Sequence, residues 1–362
     1  MKIARIEPIV VAVPYDYGAP PGTAKRWPKM ETLLVRVETD DGVVGWGEAF
    51  GFAGCAATRT AIETLVTPHA IGRDARDIAG TMAHLQRVLH LYGRSGPIVY
   101  ALSGLDIALW DIAGKLAGMP LYRMLGGQPV ERIPAYASLL RYDNPDVAAR
   151  NAADAVGCGY KSIKLHEIGV AEVRAVRAAI GPDIALTLDT NCRWPPEEAL
   201  AQARAMEPYD LTWIEEPVWP PEDYARLGEV SRGTRIPIAV GENHTTLAEF
   251  ESLIDIGRVA YEQPSVTKAG GVTEMRKIIA LADARGVAVA PHSPYTGPGL
   301  AATIHVCASL APAAACEQYY VKLEARPFDG GMGARNGFVT VPNAAGLGID
   351  PDLDVIARYR VT

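Results

Sequence analysis

The sequence predicts an α/β protein in which a small α+β domain precedes a barrel of parallel strands. From about residue 133, strand-like apolar runs alternate with helical runs, and the strand starts recur at intervals of roughly 22–29 residues, the repeat of a parallel barrel. Several of these runs end in an acidic residue. No G-x-G-x-x-G follows a strand, which disfavours a dinucleotide-binding open sheet.

Residues 1–127 differ in pattern from the rest and are predicted to form the α+β domain. Helical runs follow from about residue 58, and one of them, Ala101–Leu116, carries apolar residues at helical spacing. Asp40-Asp41-Gly42 is typical of a hairpin turn. The strand-like runs of this domain are Lys2–Val13, Thr32–Glu38 and Val43–Glu48.

Residues 128–324 are predicted to form the barrel, with eight strands. The tail, residues 325–362, is predicted to pack back on the first domain through short strands at Gly337–Val341 and Gly346–Ile349. The eight predicted strands start near Ile133, Lys161, Ile184, Leu211, Ile236, Arg258, Gly286 and Ala315.

Composition is that of a soluble globular protein, with 49% apolar and 21% charged residues and a net charge of −7. No basic block is present, which argues against nucleic acid as a partner. The longest charge-free stretch, Val287–Cys316, contains four prolines and two histidines, so we expect no membrane span. Five cysteines without a C-x-x-C pair indicate reduced thiols and a cytoplasmic location.

Polar residues follow nearly every predicted barrel strand, at the end where active sites of such barrels lie. The acidic ones on three successive strands are Asp189, Glu215 and Glu242, at steps of 26 and 27 residues. Three close carboxylates repel one another unless a cation binds them. All-oxygen ligands suit Mg²⁺. The alternative is three surface acids at loop starts.

Basic residues lie at the ends of other predicted strands. Lys164 and His166 end the second strand, and His292 ends the seventh. Because side chains alternate along a strand, Lys164 and His166 point the same way. A metal beside a lysine and two histidines suits removal of the weakly acidic proton next to a substrate carboxylate, with the metal stabilising the enediolate.

The chain resembles the mandelate racemase/muconate lactonizing branch of the enolase superfamily over nearly its whole length. The motifs that carry the resemblance are Val43-Val44-Gly45-Trp46-Gly47-Glu48, Ala101-Leu102-Ser103-Gly104-Leu105-Asp106-Ile107-Ala108-Leu109-Trp110-Asp111, Trp213-Ile214-Glu215-Glu216-Pro217, Gly241-Glu242-Asn243 and Lys268-Ala269-Gly270-Gly271-Val272.

The resemblance implies a capping α+β domain completed by the C-terminal tail, a modified (β/α)₇β barrel of the TIM type, and a homo-oligomer. It also implies one Mg²⁺ per subunit on Asp189, Glu215 and Glu242. By the same resemblance Asn191 holds the substrate, and Glu317 hydrogen-bonds the substrate carboxylate.

Two positions depart from the family pattern. His166 stands where racemase-like members commonly have the second lysine of Lys-x-Lys. Ser265 stands where relatives have an aspartate that partners the seventh-strand histidine, or a catalytic lysine. A serine can only orient His292, which disfavours a symmetrical two-base racemase. Either His292 is the acid and Lys164 or His166 the base, or His292 is the base; the sequence leaves both open.

We therefore predict a Mg²⁺-dependent hydro-lyase that dehydrates a sugar acid to a 2-keto-3-deoxy product. The alternatives are a racemase, epimerase or lactone cycloisomerase on the same scaffold, and a non-catalytic metal-binding protein. In the loop of residues 15–30, Lys25 and Arg26 are candidates to clamp the far end of the substrate, or else a solvated stretch of loop.

Overall fold

The computed structural model of the protein describes residues 1–21, 27–328 and 330–361. Its strands are β1 (Ile3–Val13), β2 (Tyr15–Asp16), β3 (Met30–Thr39), β4 (Val44–Ala49), β5 (Arg132–Ser138), β6 (Ser162–Leu165), β7 (Ala185–Asp189), β8 (Trp213–Glu215), β9 (Ile238–Val240), β10 (Tyr261–Glu262), β11 (Ala288–Val289), β12 (Cys316–Tyr319), β13 (Lys322–Leu323), β14 (Phe338–Thr340) and β15 (Arg360–Val361).

The helices lie mostly between the strands of the barrel and behind the first sheet. They are α1 (Cys55–Ala61), α2 (Thr67–Ala70), α3 (Ile78–Val88), α4 (Pro97–Ala117), α5 (Leu121–Met124), α6 (Pro145–Gly157), α7 (Val170–Ile180), α8 (Pro196–Met206), α9 (Tyr224–Gly233), α10 (Leu247–Asp255), α11 (Gly271–Arg285), α12 (Pro298–Ser309) and α13 (Leu353–Tyr359). A π-helical turn, Ile62–Val66, joins α1 to α2.

An antiparallel sheet forms the capping region, in the order β15-β1-β3-β4. The β3–β4 hairpin turns at the predicted place, where Gly42 has a φ of 86° that glycine adopts without strain. Helix α4 lies so close to β4 that a Cβ on Gly47 would be 1.9 Å from the carbonyl oxygen of Gly104. This close packing explains why glycines alternate with larger residues in the Val43–Glu48 motif.

Eight parallel strands form the barrel sheet, in the order β12-β5-β6-β7-β8-β9-β10-β11. Each begins within three residues of its predicted start, and seven helices, α6 to α12, alternate with them. The predicted modified (β/α)₇β barrel is therefore confirmed. β11 and β12 are the two outer strands of this sheet. Ser293, which follows β11, connects them by donating its backbone N–H to a carboxylate oxygen of Glu317 in β12 at 2.8 Å.

The tail pairs with both parts of the molecule. β15 pairs with β1 in the capping sheet, and β14 pairs with β5 of the barrel. The predicted strand at Gly346–Ile349 is wrong, because Gly346 and Gly348 have φ values of 74° and 64°, in the left-handed region that no strand adopts. The domain boundaries at 127/128 and 324/325 stay predictions.

Helix α4 joins the cap to the barrel. Near the start of α11, Ser103 accepts a hydrogen bond from the N–H of Gly270 and Asp106 from that of Thr273. By length and composition α4 is apolar enough to cross a membrane, but 72% of its apolar window is buried within the fold. It is best understood as the central core helix of the cap.

Candidate active site

Three carboxylates meet at the C-terminal mouth of the barrel. The register pairs Asp189 with Glu215 directly across β7 and β8, and Glu242 follows β9. One oxygen from each lies within 4.8 Å of the others. Asp189 and Glu215 are fully buried. The predicted convergence of these three side chains is what the structure shows.

The charge around this cluster favours a bound cation. Burial, and then the charge of Asp189, raise the pKa of Glu215 well above its usual range. Glu317, also buried, adds a fourth carboxylate. In the described residues the compensating charge at the centre is Lys164, whose Nζ lies 3.0 Å from Asp189, 2.6 Å from Glu215 and 3.3 Å from Glu317. Three adjacent oxygen donors with excess negative charge fit a hard divalent cation.

Glu216 turns away from the cluster, as the alternation of strand residues predicts. It accepts two hydrogen bonds from the Asn243 amide, at 3.0 and 2.8 Å, and one from the Cys192 thiol at 3.4 Å. Asn243 in turn accepts from the Lys268 ammonium at 3.0 Å. Burial, and then Glu242, raise the pKa of Glu216 to about 8. Glu216 thus belongs to a supporting network beside the mouth.

Cys192 is no nucleophile in this setting. Burial, and then the neighbouring Glu216, raise the pKa of its thiol, which leaves the sulfur protonated.

His166 lies on the Lys164 side of the cluster. Its Nδ1 is 2.5 Å from the carbonyl oxygen of Leu139, and its Nε2 is 3.3 Å from Asp189 Oδ2. A carbonyl oxygen only accepts, so Nδ1 carries the proton. In the neutral imidazole, Nε2 is then the nitrogen free to accept a proton.

The pKa of Lys164 lies well above its usual range. Burial opposes the charge, but Asp189, Glu215 and Glu317 outweigh it. Lys164 is therefore an ammonium that neutralises the cluster, and its three ion pairs leave it poorly suited to accept a proton.

His292 lies on the opposite side. Its Nε2 is 2.7 Å from Glu242 Oε2. Burial opposes ionisation of Glu242, but His292 and then Lys268 lower the pKa of that carboxyl to about 2. The carboxylate therefore only accepts, and His292 Nε2 carries the proton.

Ser265 does not contact His292 directly. The Tyr295 hydroxyl lies between them, 3.3 Å from His292 Nδ1 and in hydrogen-bond contact with Ser265 Oγ. Tyr295 is fully enclosed at 5% exposure. The orienting role predicted for Ser265 can therefore act only through Tyr295.

Asn191 and Glu317 both line the mouth. The Asn191 amide donates to Asp189 Oδ1 at 2.9 Å. Glu317 accepts from the Ser138 hydroxyl at 2.7 Å and from the Ser293 N–H. Burial opposes its charge, yet Lys164 and then His292 keep the pKa of Glu317 below its usual range. An ionised Glu317 hydrogen-bonds a substrate carboxylate only if one of the two gains a proton, so its predicted role stays a prediction.

A cavity of about 960 Å³ opens over these groups. The cap supplies an aromatic wall, with Trp27, Phe50 and Phe52 stacked or edge-on to one another. Two arginines, Arg141 and Arg193, also line the cavity. Lys25 and Arg26, the predicted clamp, lie outside the described residues.

Two family models match the chain. Residues 9–126 match "Mandelate racemase / muconate lactonizing enzyme, N-terminal domain", and residues 147–355 match "Enolase C-terminal domain-like". The chain belongs to the mandelate racemase/muconate lactonizing enzyme family. The predicted family is thereby confirmed.

Known proteins resemble the chain over nearly its full extent. D-galactonate dehydratase of Ralstonia nicotianae is 35% identical, over 99% of this chain and 95% of the relative. D-galactarolactone cycloisomerase of Agrobacterium fabrum is 33% identical, over 93% of each. A racemase structure from Streptomyces coelicolor with bound magnesium superposes with a TM-score of 0.88 at 29% identity, over 99% of this chain and 100% of that one.

Arg141 and Tyr295 line or support the site but are not among the residues that the sequence predicts for it. Neither ends a strand, which was the signal used to find the other site residues. Tyr295 lies three residues after His292 in a Pro-rich turn, and that spacing is the one clue in the sequence. Arg141 lies three residues after the end of β5, and no motif marks it.

Proposed function

We propose that this protein is a Mg²⁺-dependent hydro-lyase that dehydrates a sugar acid to a 2-keto-3-deoxy acid. Asp189, Glu215 and Glu242 would hold the metal, which when bound stabilises negative charge on the substrate carboxylate. The observation that carries the proposal is that two histidines flank the carboxylate cluster with different partners on Nδ1, the Leu139 carbonyl for His166 and the Tyr295 hydroxyl for His292. His166 Nδ1 donates to the Leu139 carbonyl, so Nε2 is the proton acceptor of its neutral form, whereas His292 Nε2 lies 2.7 Å from Glu242 as a donor.

The two histidines divide the proton transfers. His166 Nε2 accepts the proton from the carbon next to the substrate carboxylate. His292 Nε2 donates its proton to the hydroxyl on the following carbon, which leaves as water. The resulting enol then tautomerises to the keto acid, and one proton has been taken up and one released. Lys164 stays charged throughout and neutralises the buried carboxylates around the substrate.

Lactone cycloisomerisation is the second candidate. It begins with the same removal of a proton next to a carboxylate, but the leaving group is the ring oxygen. The 33% identical cycloisomerase from Agrobacterium fabrum, aligned over 93% of each chain, favours it. A racemase or epimerase is less well supported, because it requires a second proton acceptor where His292 carries a proton.

The test is turnover of sugar acids and their lactones in D₂O with Mg²⁺, followed by NMR. Dehydration yields a 2-keto-3-deoxy product from an open-chain acid, and cycloisomerisation yields product from lactones alone. Asp189→Asn should lower activity more than about 100-fold, since metal stabilisation of the charge is worth several kcal/mol. Asp183→Asn, at an exposed residue just before the same strand, is the control. Failure of every acid and lactone to give product or α-deuterium exchange would refute the proposal.

We also propose a cytoplasmic homo-oligomer. The absence of any disulfide among the five cysteines, all of which the structure describes as free, supports the location. Light scattering of the purified protein and fractionation of cells test these two statements.

A further inference from the structure

Arg141 brings a positive charge to the cavity. Its Nε donates to the carbonyl oxygen of His166 at 2.5 Å. Its Nη2 is buried and has no hydrogen-bond partner in the part of the chain that the structure describes. A guanidinium with a buried, unused donor is costly unless an anion pairs with that donor. The residue lines the same cavity as His166, Asn191 and Glu317.

The loop that carries Arg141 is firmly held. Glu167, only 1% exposed, accepts the backbone N–H of Tyr142 at 2.7 Å and that of Asp143 at 3.2 Å. The Tyr142 hydroxyl donates to the carbonyl of Tyr17 in the cap at 2.8 Å. Both carboxylate oxygens of Glu167 thus accept hydrogen bonds from backbone N–H groups, and neither pairs with Arg141.

Arg141 also lies at a suitable place along a substrate. It contacts the backbone of His166, and the ring of the same residue reaches Asp189. A single residue therefore separates the guanidinium from the carboxylate cluster. A substrate held by one carboxylate at that cluster would extend along His166 towards Arg141. A guanidinium offers two parallel donors that match a carboxylate.

We propose that Arg141 binds a second, distal carboxylate, so that the preferred substrates are aldaric acids, which carry a carboxylate at each end. This inference rests on the proposed function for its reaction. Arg141 would be a specificity-determining residue, since an aldonic acid of the same stereochemistry offers only a neutral hydroxyl at that end.

The first experiment compares an aldaric acid with the aldonic acid of matching stereochemistry, using the Mg²⁺-loaded protein. The wild type should show the higher kcat/KM on the aldaric acid. Arg141→Met should lower that value roughly 10- to 100-fold, mainly through KM, as loss of a charged hydrogen bond implies. The kcat/KM of Arg141→Met on the aldonic acid should differ from the wild-type value by less than about threefold. Arg141→Lys should recover part of the loss.

The matched control is Arg150→Met. Arg150 is an exposed arginine of α6, which donates to the carbonyl of Gly18 and does not line the cavity. It should leave both substrates unchanged. Equal thermal unfolding of the two methionine variants would show that Arg141→Met folds normally.

The second experiment measures binding without turnover. Adipate and hexanoate have equal chain lengths and no hydroxyl to lose, so calorimetric titration of the Mg²⁺-loaded protein isolates the second carboxylate. Adipate should bind at least about tenfold more tightly to the wild type, and Arg141→Met should abolish the difference.

The outcomes separate the two proposals. Equal loss on both substrates, a wild-type preference for aldonic acids, or equal binding of adipate and hexanoate would overturn the role of Arg141 while leaving dehydration intact. Arg141-dependent adipate binding without turnover of any acid or lactone would support the binding role and overturn the proposed reaction.

Discussion

At the residue scale, the main departure from the family pattern is Ser265, and the structure shows what compensates for it. The family pattern has an aspartate beside the histidine. In this chain Ser265 contacts the Tyr295 hydroxyl, and that hydroxyl contacts His292. His292 Nε2 carries its proton towards Glu242, so Nδ1 accepts from Tyr295. The pair therefore fixes the tautomer of His292 without adding a negative charge, which suits an acid more than a base.

Tyr295→Phe should lower kcat about tenfold with KM nearly unchanged. The substitution removes the hydrogen bond to the buried His292 Nδ1 and leaves that nitrogen unpaired, worth roughly 1–2 kcal/mol. Steady-state kinetics, on a substrate identified by the turnover test with sugar acids and lactones, measure both constants. Tyr320→Phe, which loses a hydroxyl bonded to Asp154 away from the site, should leave kcat unchanged. An unaltered kcat in Tyr295→Phe, or a rise in KM alone, would contradict the orienting role.

At the element scale, two acidic residues in the sequence motifs of the cap form hydrogen bonds that connect neighbouring elements. Asp111 of α4 accepts the N–H of Trp46 in β4 and that of Leu347 in the tail, both at 2.9 Å. Glu48 of β4 reaches the start of α12 and accepts the N–H of Gly299 at 2.9 Å. Helix α12 follows the loop that carries His292 and Tyr295. The contact between Glu48 and α12 therefore connects the cap to the part of the site that contains His292.

Glu48→Ala should destabilise the protein by about 1–2 kcal/mol at pH 6, because an N–H at the start of α12 loses its partner. Burial raises the pKa of Glu48 to about 7, so at pH 6 the side chain is protonated and accepts through its carbonyl oxygen. Glu48→Gln keeps that oxygen, so its free energy of unfolding should fall by less than half as much as that of Glu48→Ala. Urea unfolding measures both.

The control for Glu48 is Glu131→Ala, since Glu131 is exposed in the linker before the barrel. It should leave the free energy of unfolding unchanged. Equal stability of the Ala and Gln variants at position 48 would show that the contact to Gly299 contributes nothing.

At the scale of the whole molecule, several buried carboxyls make stability depend on pH. Burial is the first cause at each of three positions: it raises the pKa of Glu48 to about 7, of Asp106 to about 7 and of Glu262 to about 8. A carboxyl whose folded pKa exceeds its unfolded value holds its proton longer in the folded state. Its contribution is therefore present at low pH and is lost as pH rises from about 5 to 8.

Glu262→Gln should flatten this dependence. Both Glu262 carboxylate oxygens are buried without a hydrogen-bond partner in the described residues, and burial is the sole cause of its raised pKa. From an ordinary value of 4.5 and a folded value of about 8, the wild type should lose about 3 kcal/mol more than the variant between pH 5.5 and pH 8.

Urea unfolding across this pH range, with Glu198→Gln on the exposed face of α8 as the control, measures the effect. The control should follow the wild type. A Glu262→Gln variant with the wild-type slope would mean that the carboxyl ionises freely in the folded protein.

The sequence by itself determined the barrel and the carboxylate cluster. Successive parallel strands are neighbours in a barrel, so residues that end successive strands must meet at one rim. That rule brought Asp189, Glu215 and Glu242 together, put Lys164 and His166 on one face, and separated Glu215 from Glu216. It needs only strand period and strand order, and both are local in sequence.

Only the tertiary structure decided which groups contact the two histidines and what lies between Ser265 and His292. The Leu139 carbonyl that fixes His166, the turn that brings Tyr295 back to His292, and the loop that aims Arg141 into the cavity depend on backbone paths outside the strands. Gly346 likewise turns instead of extending because it packs against Asp111. Strand periodicity does not reach such loops, since their course follows from packing between distant segments.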